Sequence, residues 1–306
     1  MIVYTNVLGK FYFNDKLKLD KEELFNFDES IRNALKYNEQ NEKISEKENI
    51  AILTFFSKEK YLEKFRKINL EVTRIKVGES VNEDNYIINS INTIEEITKA
   101  TNSIATRVKE WYSLFLPELT EKISDNELII QLIAEKDHKE IMHKLRIEKS
   151  LGKIPKKETE PIIKVSRKLV ELQKEREELE KYLESVMKNY CPNFLSLTGT
   201  LIGAKLFRAA GSLKRLVELP SSTIHLLGAE KALFRHLKSG ARPPKYGILL
   251  QHPLVNNAKK YEKGKAARIL AYKISIAVKV DYFHGEFIGD KLLLEVKKKL
   301  ESKNKK

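Results

Sequence analysis

A heptad pattern between Ile162 and Tyr190 constrains this chain more than any other feature of its sequence. Nine positions alternate in spacing between three and four residues over four heptads: Ile162, Val165, Leu169, Leu172, Arg176, Leu179, Leu183, Val186 and Tyr190. All of them except Arg176 are apolar or aromatic, and the residues between them are mostly Lys, Glu and Gln. A helix with such a stripe must bury it against other helices, so the pattern predicts a coiled coil.

The segment before this helix offers a partner for the stripe. Its pattern is helical from Asn89, is interrupted at Pro117 and resumes as far as Lys149. Gly152–Pro161 contains one glycine and two prolines, which predicts a turn and an antiparallel helical hairpin. The positions that would face the stripe are Leu119, Ile123, Ile130, Ile133 and Ile141, with Asn126 and Asp137 as polar interruptions able to set the register.

Two helices alone cover only part of an apolar stripe, so we expect a second copy of the chain to complete the coiled coil. The expected dimerisation residues are Ile162, Val165, Leu169, Leu172, Leu179, Leu183 and Val186. The alternative is an intramolecular bundle in which the hairpin packs on the chain's own domains.

The amino-terminal zone has a different pattern. IVYTNVLGKFYF alternates apolar and polar positions, and Leu8-Gly9-Lys10 can turn one strand back on the next. AILTFF at 51–56 predicts a further buried strand, and the polar segment between them is partly helical and ends in a loop, NEQNEKISEKEN. We therefore expect a small α/β domain here.

Beyond Cys191 the sequence indicates short helices in close contact. Gly199 and Gly203 are four residues apart in TGTLIGAKLFRAAG, and small residues at helical spacing let two helices approach each other. The spacing does not match a phosphate-binding Walker motif, so no nucleotide site is expected there. The expected fold is mainly α, with an α/β domain at 1–88, a helical linker and coiled-coil domain at 89–191, an all-α domain at 192–290 and a basic tail at 291–306.

The excess positive charge lies entirely after Cys191. Residues 1–90 carry 15 basic and 16 acidic residues, and 91–191 carry 19 of each. In contrast, 192–290 carry 16 basic and 6 acidic residues, and 291–306 carry 7 and 2. This asymmetry predicts a polyanion-binding domain attached to two neutral ones.

The stretch GAEKALFRHLKSG, which begins at Gly228, predicts a helix stopped by its final glycine and by the prolines beyond it. On this helix we expect Leu233, Phe234 and Leu237 to face inward. The cations form one exposed stripe that continues into the following loop: Lys231, Arg235, Lys238, Arg242 and Lys245. We favour phosphate contact, with a solvated helix face as the alternative. Because the apolar residues are assigned to the core, no membrane surface is expected.

Other kinds of site are not expected. The single cysteine, Cys191, rules out an internal disulfide and a paired-thiolate metal site, and it favours a reducing compartment. His138 and His143 are separated by four residues instead of the three of a helical zinc pair, and no nucleophile or paired-carboxylate pattern stands out. No stretch approaches the roughly 18 apolar residues of a membrane span. We expect a cytoplasmic protein without a metal ion.

The motifs of the basic zone resemble a known family. LGAEKALFRHLKSGARPPKYGILLQHP, preceded by CPNFLSLTGTLIGAKLFRAAGSLKRLVELPSSTIHL and followed by GKAARILAYKISIAVKVDYF, closely resembles the Nop domain of the archaeal box C/D ribonucleoprotein scaffold. KEWYSLFLPEL is similar to the family's stretch before its coiled coil. The resemblance extends from about Asn89 to Phe283, and over the first 85 residues it is confined to the α/β pattern.

The resemblance implies an RNA–protein scaffold that has no active site and no cofactor of its own. Members bind a kink-turn RNA held by a small ribosomal-type protein, dimerise through the coiled coil, and carry a fibrillarin-type methyltransferase on the amino-terminal domain. That partner binds S-adenosylmethionine, and the complex methylates ribose 2′-hydroxyls at positions selected by the box C/D guide RNA. The implied compartment is an archaeal cytoplasm.

By this resemblance Gly228–Lys231 correspond to the family's GAEK motif and Ala232–Arg235 to its ALFR motif. The predicted RNA-binding residues are Gly228, Ala229, Glu230, Lys231, Arg235, Lys238, Arg242, Lys245, Gln251 and His252. A splicing-type scaffold on another kink-turn RNA is the alternative within the family. A stand-alone RNA-modifying enzyme is the alternative outside it, and it would need a glycine-rich cofactor loop after a strand.

Overall fold

The computed structural model describes residues 2–14, 17–36, 46–148, 150, 152 and 156–301. The chain divides into two compact units, Met1–Asn82 and Glu83–Lys306. The first contains β1 (Ile2–Asn6), β2 (Gly9–Phe13), β3 (Leu19–Leu24), α1 (Phe27–Leu35), α2 (Glu46–Phe56) and α3 (Glu59–Glu79). The second contains α4 (Glu83–Tyr112), α5 (Pro117–Lys122), α6 (Asn126–Glu135), α7 (His138–Lys144), α8 (Lys156–Tyr190), α9 (Pro192–Thr198), α10 (Thr200–Ala210), α11 (Leu213–Glu218), α12 (Ser221–Ile224), α13 (Glu230–Ser239), a 3-10 turn (Ile248–Gln251), α14 (Pro253–Asn256), α15 (Lys263–Tyr282) and α16 (Gly289–Glu301). The expected fold, mainly helical with a small α/β region at the amino terminus, is confirmed.

The amino-terminal unit is built on a three-stranded antiparallel sheet in the order β1-β2-β3. Asn6 pairs with Gly9 across the first turn, and the Leu8 amide donates a hydrogen bond of 2.8 Å to Asn6 Oδ1. The strand turn predicted around Gly9 is thereby confirmed. The third strand, LDKEEL, was not predicted because its charged residues hide the alternation of a half-exposed strand.

The predicted strand at 51–56 is wrong, because these residues lie in α2. Ile52 and Phe56 are buried in one core with Phe11 of the sheet, and the Phe11 and Phe56 rings meet edge to face with their centroids 4.7 Å apart. A short apolar run has the same pattern in a buried helix and in a buried strand, so periodicity could not separate the two. The predicted loop NEQNEKISEKEN lies largely outside the described residues, and its last four residues begin α2.

The helices α4 and α8 form a long antiparallel pair in the second unit. Seven of the nine buried residues of α4 recur at heptad spacing: Ile87, Ile91, Ile94, Thr101, Ala105, Val108 and Tyr112. The first three pack with Leu183 and Met187 near the end of α8, and the last three pack with Ile162 and Leu169 near its start. The main partner of α8 is therefore α4, and the predicted partner, residues 117–149, is corrected.

The buried face of α8 is offset from the predicted stripe. Three residues of the stripe are buried as predicted: Ile162, Leu169 and Leu183. Ser166 and Met187 are also buried, whereas Val165 and Leu172 remain 37% and 38% exposed. Every second predicted position is therefore replaced in the contact with α4 by the residue that follows it, as Val165 is by Ser166 and Val186 is by Met187. Half of the predicted stripe stays at or near the surface as a result.

Residues 117–144 form three short helices instead of one long one. The Asp125 carboxylate accepts the Glu127 amide at 2.9 Å and caps α6, while Asp137 precedes α7. Asn126 and Asp137, which were predicted to set the register of the seam, are therefore helix starts. The predicted apolar positions do enter a core with α8: Leu119, Ile130, Ile133 and Ile141 are buried, and Ile123 is partly buried.

Two helix boundaries differ from the prediction. The helix predicted to begin at Asn89 is α4 and begins at Glu83, and α3 (Glu59–Glu79), which was not predicted, precedes it. The second helix begins at Lys156 and contains Pro161, so the turn is shorter than Gly152–Pro161. Residues 153–155 of that turn lie outside the described part of the chain.

The predicted close approach of helices at the glycines is confirmed at Gly203. A Cβ atom there would lie 2.5 Å from Thr198 Oγ1 and 2.8 Å from Met187 Cε, so α10 packs directly on α8 and α9. Gly199 serves differently, because its φ of 68° ends α9 in a conformation that side chains disfavour.

A buried carboxylate joins three helices of the basic zone. Asp281 of α15 accepts hydrogen bonds at Oδ1 from the Asn193 backbone and side-chain nitrogens, at 3.1 and 2.8 Å, and at Oδ2 from the Phe194 amide at 2.8 Å. Asn193 Oδ1 accepts the Ile288 amide at 2.6 Å, next to the start of α16. Burial raises the pKa of Asp281, and the three donors offset part of that rise. These bonds hold the first turn of α9 on α15.

We expect Asp281→Ala to lower the free energy of unfolding by about 2–4 kcal/mol, because buried N–H groups lose their acceptor and each costs about 1–3 kcal/mol when unsatisfied. Urea unfolding followed by circular dichroism measures the change. Asp290→Ala is the matched control, since that carboxylate is exposed and accepts one bond, from Ser196 Oγ at 3.2 Å. Equal urea midpoints for the two variants would contradict the role given to Asp281.

Candidate nucleic-acid interface

The predicted helix after Gly228 is confirmed as α13, and glycines lie at both of its ends. Gly228 has a φ of 84°, and its amide donates a hydrogen bond of 2.6 Å to Glu230 Oε1. Gly240 has a φ of 67°, and its amide donates to the His236 carbonyl at 2.9 Å. Both glycines adopt the left-handed conformation that residues with a side chain rarely take. The start and stop of the helix are thus encoded locally.

The apolar side chains of α13 do not face inward as predicted. No residue of the helix is buried; Phe234 and Leu237 are 70% and 71% exposed, and Leu233 is half-buried. The segments that flank the helix are held by backbone bonds, from the Gly247 amide to the His225 carbonyl and from the Ile248 amide to the Leu227 carbonyl. Because its flanks anchor it, α13 stays in position without a packed face, and periodicity could not reveal this.

The predicted cationic stripe is exposed. Lys231, Arg235, Lys238, Arg242 and Lys245 all have exposed side chains. Within the described part of the chain, none of the five side chains forms an ion pair or a hydrogen bond. The only acidic residue in this region, Glu230, turns its carboxylate to the Gly228 amide. The ammonium and guanidinium groups are therefore available to phosphate oxygens.

Two of the predicted RNA-binding residues are engaged in the fold. His252 is buried, and its Nδ1 accepts the Leu254 amide at 3.2 Å at the start of α14. Burial lowers the pKa of His252, which keeps the ring neutral and able to accept this bond. Gln251 is exposed, but its Oε1 accepts a hydrogen bond from Lys205 Nζ at 3.0 Å. The structure therefore gives His252 a capping role, and Lys205 sets the orientation of Gln251.

Other histidines of this region also have backbone partners. His225 is buried, and its Nε2 lies 2.7 Å from the Lys245 carbonyl oxygen. His236 Nδ1 bonds the Ala241 carbonyl oxygen and so fixes the loop after α13. Among the described residues, no group of three or more His, Cys, Asp or Glu side chains is arranged to hold a metal ion. Cys191 is buried, and burial raises the pKa of its thiol.

A charged cluster that sequence reasoning missed joins the basic zone to α4. The Glu95 carboxylate pairs with Arg208, and Lys205 Nζ lies 3.5 Å from Glu95 Oε1. Arg208 also donates to Asn92 Oδ1 at 3.3 Å and lowers the pKa of Glu95. Because Lys205 also holds Gln251, the cluster connects α4 to the loop beside α13. Its partners are more than a hundred residues apart, so no local pattern predicts it.

Apolar residues that are exposed or only partly buried follow two heptad rows on the α4–α8 pair. Ile97, Ile104 and Trp111 form the row on α4, and Val165, Leu172, Leu179 and Val186 form the row on α8. Each row lies one residue before the buried seam of its helix, which puts both on the same side of an antiparallel pair. Arg167 donates to the Ala134 carbonyl of α6 at 3.3 Å from the other side. We call these residues the apolar rows.

The amino-terminal unit carries an apolar groove of about 600 Å³. Its lining includes Tyr4, Val7, Leu53, Phe56, Leu62 and Phe65. Leu53 and Leu62 are 65% and 52% exposed, which is unusual for large aliphatic side chains that lie together. An exposed apolar surface of this kind is typical of a protein-binding site. No helix of the described chain is long and apolar enough to cross a membrane.

Comparison with known proteins agrees with these features. The family model Nop, described as a snoRNA binding domain with fibrillarin, matches residues 93–302. A protein of Methanocaldococcus jannaschii, described as an uncharacterized NOP5 family protein, is 36% identical over 71% of this chain and 56% of its own length. Nucleolar protein 56 of Schizosaccharomyces pombe is 36% identical over 69% and 47%. Nucleolar protein 58 of Scheffersomyces stipitis is 38% identical over 72% and 46%.

The chain thus spans about half the length of the curated relatives that it matches. Among solved structures, a chain of a crystal structure of a fibrillarin/Nop5p complex covers 98% of this chain and 99% of its own length. It has 27% sequence identity and a TM-score of 0.46.

Because Phe234 and Leu237 are exposed, we expect Phe234→Ser and Leu237→Ser to change the free energy of unfolding by less than about 0.5 kcal/mol each. Phe207→Ser, in the buried core, should cost about 3–5 kcal/mol and serves as the control. Urea unfolding monitors all three. A decrease of more than about 2 kcal/mol in the free energy of unfolding of Phe234→Ser would contradict the exposed position of this side chain.

Proposed function

The chain belongs to the Nop family, and from that premise we propose that it is a non-catalytic scaffold of a box C/D guide ribonucleoprotein. In this proposal it joins a fibrillarin-type methyltransferase to guide RNA whose kink-turn is held by a small ribosomal-type protein. The assembly methylates ribose 2′-hydroxyls of target RNA. The observation that carries the proposal is α13, an unpacked helix that exposes unpaired cations within the motifs of the family.

RNA binding is assigned to the cationic side of α13. Lys231, Arg235 and Lys238 lie along one side of the helix, and Arg242 and Lys245 continue it. Phosphate contacts from such a stripe give affinity and register without reading the sequence, which suits a scaffold that serves many guide RNAs. The GAEK glycine and glutamate act indirectly, since Gly228 and Glu230 bond each other and set the direction of the helix.

The exposed apolar edge of α13 suits a composite surface. Phe234 and Leu237 lie beside the cations on the same short helix. An RNA phosphate backbone would leave these two side chains in water, whereas an RNA that already carries a small protein offers both phosphates and apolar surface. We therefore assign the kink-turn-binding protein to this edge and the RNA to the cations.

The methyltransferase is assigned to the apolar groove of the amino-terminal unit. Leu53 and Leu62 expose apolar surface there, and no charged cluster competes for it among the groove's described lining residues. S-adenosylmethionine belongs to that partner, so the chain itself supplies no reacting group. We place the assembly in the cytoplasm of an archaeal cell, a proposal that the archaeal relative supports.

A second copy of the chain is assigned to the apolar rows. The α4–α8 pair leaves Trp111, Val165 and Leu172 at 45%, 37% and 38% exposure. A coiled-coil partner on this side would bury them and give a four-helix arrangement of two copies. The dimer would carry two basic surfaces and two methyltransferases. Ile162, Leu169 and Leu183 were predicted as dimerisation residues, but they are already buried within one chain and are therefore not part of the proposed dimer contact.

The scaffold role predicts that the chain is required for guided methylation but inactive alone. Methyl transfer to a target RNA should need the methyltransferase, the kink-turn protein, the guide RNA and this chain together.

Lys231→Ala with Arg235→Ala should weaken binding to the RNA–kink-turn-protein complex by roughly 1–3 kcal/mol and reduce the salt dependence by about two units, because two phosphate contacts are lost. Gel-shift titration at several salt concentrations and incorporation of labelled methyl groups measure both effects.

The control for that pair is Lys174→Ala with Lys181→Ala, which removes the same charge from exposed positions on α8. It should leave affinity within about twofold, equivalent to roughly 0.4 kcal/mol. Methyl transfer by the chain alone would refute the scaffold role. An unchanged affinity and salt slope for the α13 variant would instead make its cations a solvated helix face.

Dimerisation through the apolar rows predicts that Ile104→Glu with Leu172→Glu abolishes self-association while leaving the monomer folded, since both residues are partly exposed. Two unpaired carboxylates would have to be buried at the interface, at a cost of several kcal/mol. Asn102→Glu with Ser185→Glu adds the same charge to exposed positions of the same helices and should leave the dimer intact. Sedimentation velocity at tens of micromolar distinguishes them, and a monomeric unaltered chain would refute the dimer.

A further inference from the structure

A pocket of about 370 Å³ opens beside α14. Pro253 and Leu254 of α14 and Leu300 of α16 form its apolar wall. Asn257 lines it with an exposed amide, which has both donor and acceptor atoms. The volume lies within the roughly 300–1,000 Å³ range of pockets that hold small ligands.

Three ammonium groups surround this pocket. Lys259 comes from the loop before α15, Lys265 from the first turn of α15 and Lys297 from α16, and Glu262 is the acidic residue in the lining. None of the three lysines forms an ion pair with an acidic residue of the described chain. The pocket therefore combines a net positive rim with an apolar wall, and this combination suits a ligand that has an anionic group and a flat apolar face.

An exposed aromatic side chain lies in the sequence between two residues that line the pocket, Lys259 and Glu262. Tyr261 is 76% exposed and is flanked in sequence by Lys260 and Glu262, a pocket residue. Lys263 Nζ donates to Asn256 Oδ1 at 3.2 Å, which closes the loop that carries the tyrosine. A tyrosine that stays in solvent among lysines gains nothing for the fold. Rings placed in this way are typical of sites on which an unpaired base stacks.

The pocket adjoins the cationic surface around α13. A Cβ atom at Gly264 would lie 3.8 Å from both Lys245 Cβ and the Lys245 carbonyl oxygen, so the first turn of α15 approaches the loop after α13. Lys245, the last cation of the stripe, therefore lies close to the helix that carries Lys265.

We propose that this pocket binds one unpaired nucleotide of RNA. The base stacks on Tyr261 and the apolar wall, the Asn257 amide meets its polar edge, and Lys259, Lys265 and Lys297 bind the flanking phosphates. A base in a duplex cannot enter, because its faces are already stacked and its edge is paired. The proposal rests on the proposed RNA-binding function, and it adds a site for single-stranded RNA outside the helix that the family motifs identify.

Fluorescence anisotropy with labelled hexauridylate and the full chain tests the site. Tyr261→Ala should weaken hexauridylate binding by about 5- to 100-fold, the range seen when one stacked base is lost. Tyr272→Ala, an exposed tyrosine on α15 outside the pocket, is the control and should have little effect. Lys297→Gln should reduce the slope of log affinity against log salt by about 0.7, whereas Lys291→Gln, on the same helix but outside the lining, should not.

Competitors identify the ligand. Unlabelled uridine monophosphate at millimolar concentration should displace hexauridylate, and only while Tyr261 is present, because the nucleotide unit is what the pocket recognises. Hexaglutamate, with a similar charge, and an RNA duplex should compete weakly and independently of Tyr261. Equal competition by hexaglutamate would overturn the proposal, since the surface would then recognise charge alone.

Binding of hexauridylate and binding of kink-turn RNA test the pocket and the RNA-binding scaffold separately. If Tyr261→Ala and Lys297→Gln bind hexauridylate like the unaltered chain while Lys231→Ala with Arg235→Ala loses affinity for kink-turn RNA, the pocket proposal fails and the scaffold stands. If the unaltered chain binds neither RNA, the scaffold fails with it. Thermal melting of each variant confirms that it is folded, and a selective loss in a folded Tyr261→Ala variant supports the pocket.

Discussion

The packing of α4 against α8 is the interaction on which the rest of the second unit depends. Each buried Ile or Leu in this seam contributes about 1.5–3 kcal/mol relative to exposure, and both ends of the seam extend into larger cores, one with α6 and one with α10 and α15. Its middle is polar: Thr101 is buried on α4, and Arg176 of α8 is partly buried and donates to Glu127 of α6 at 3.0 Å. The same two helices therefore support the apolar rows and the basic surface.

The basic surface works because the fold holds α13 without covering it. Left-handed glycines and the bond from Gly228 to Glu230 define the helix, and backbone bonds in the neighbouring segments anchor its flanks. Neither the cationic nor the apolar side of α13 is therefore needed for packing. Positive charge stays unpaired because acidic residues are nearly absent from this part of the sequence. A helix that is ordered before binding loses little conformational entropy on contact with RNA. The cost is an exposed Phe and Leu, which a bound partner can cover.

Hydrogen-bonded charged groups between helices hold the basic surface in place. Asp281 secures α9 and the chain that leads into α16, and α16 in turn supplies Lys297 to the nucleotide pocket. The Glu95 cluster connects α4 to the Gln251 loop through Lys205. Each of these contacts joins residues far apart in sequence. Asp281 is buried and the Glu95 cluster is partly buried, and hydrogen-bonded charges in such positions favour one arrangement of the helices over others.

The sequence by itself determined the elements whose signals are local. The strand turn at Gly9, the limits of α13, the charge asymmetry and the family motifs all follow from neighbouring residues, since turn glycines and charge need no distant partner. Tertiary structure decided which surfaces are covered. Heptad spacing requires that α8 bury a stripe, but it does not say which helix covers that stripe. The main partner is α4, which is one helix of 30 residues, whereas residues 117–144 are divided among three short helices. Phe234, which was predicted to lie in the core, is exposed to solvent for the same reason. Periodicity shows that a helix has an apolar face, but only the neighbouring elements decide whether that face is buried.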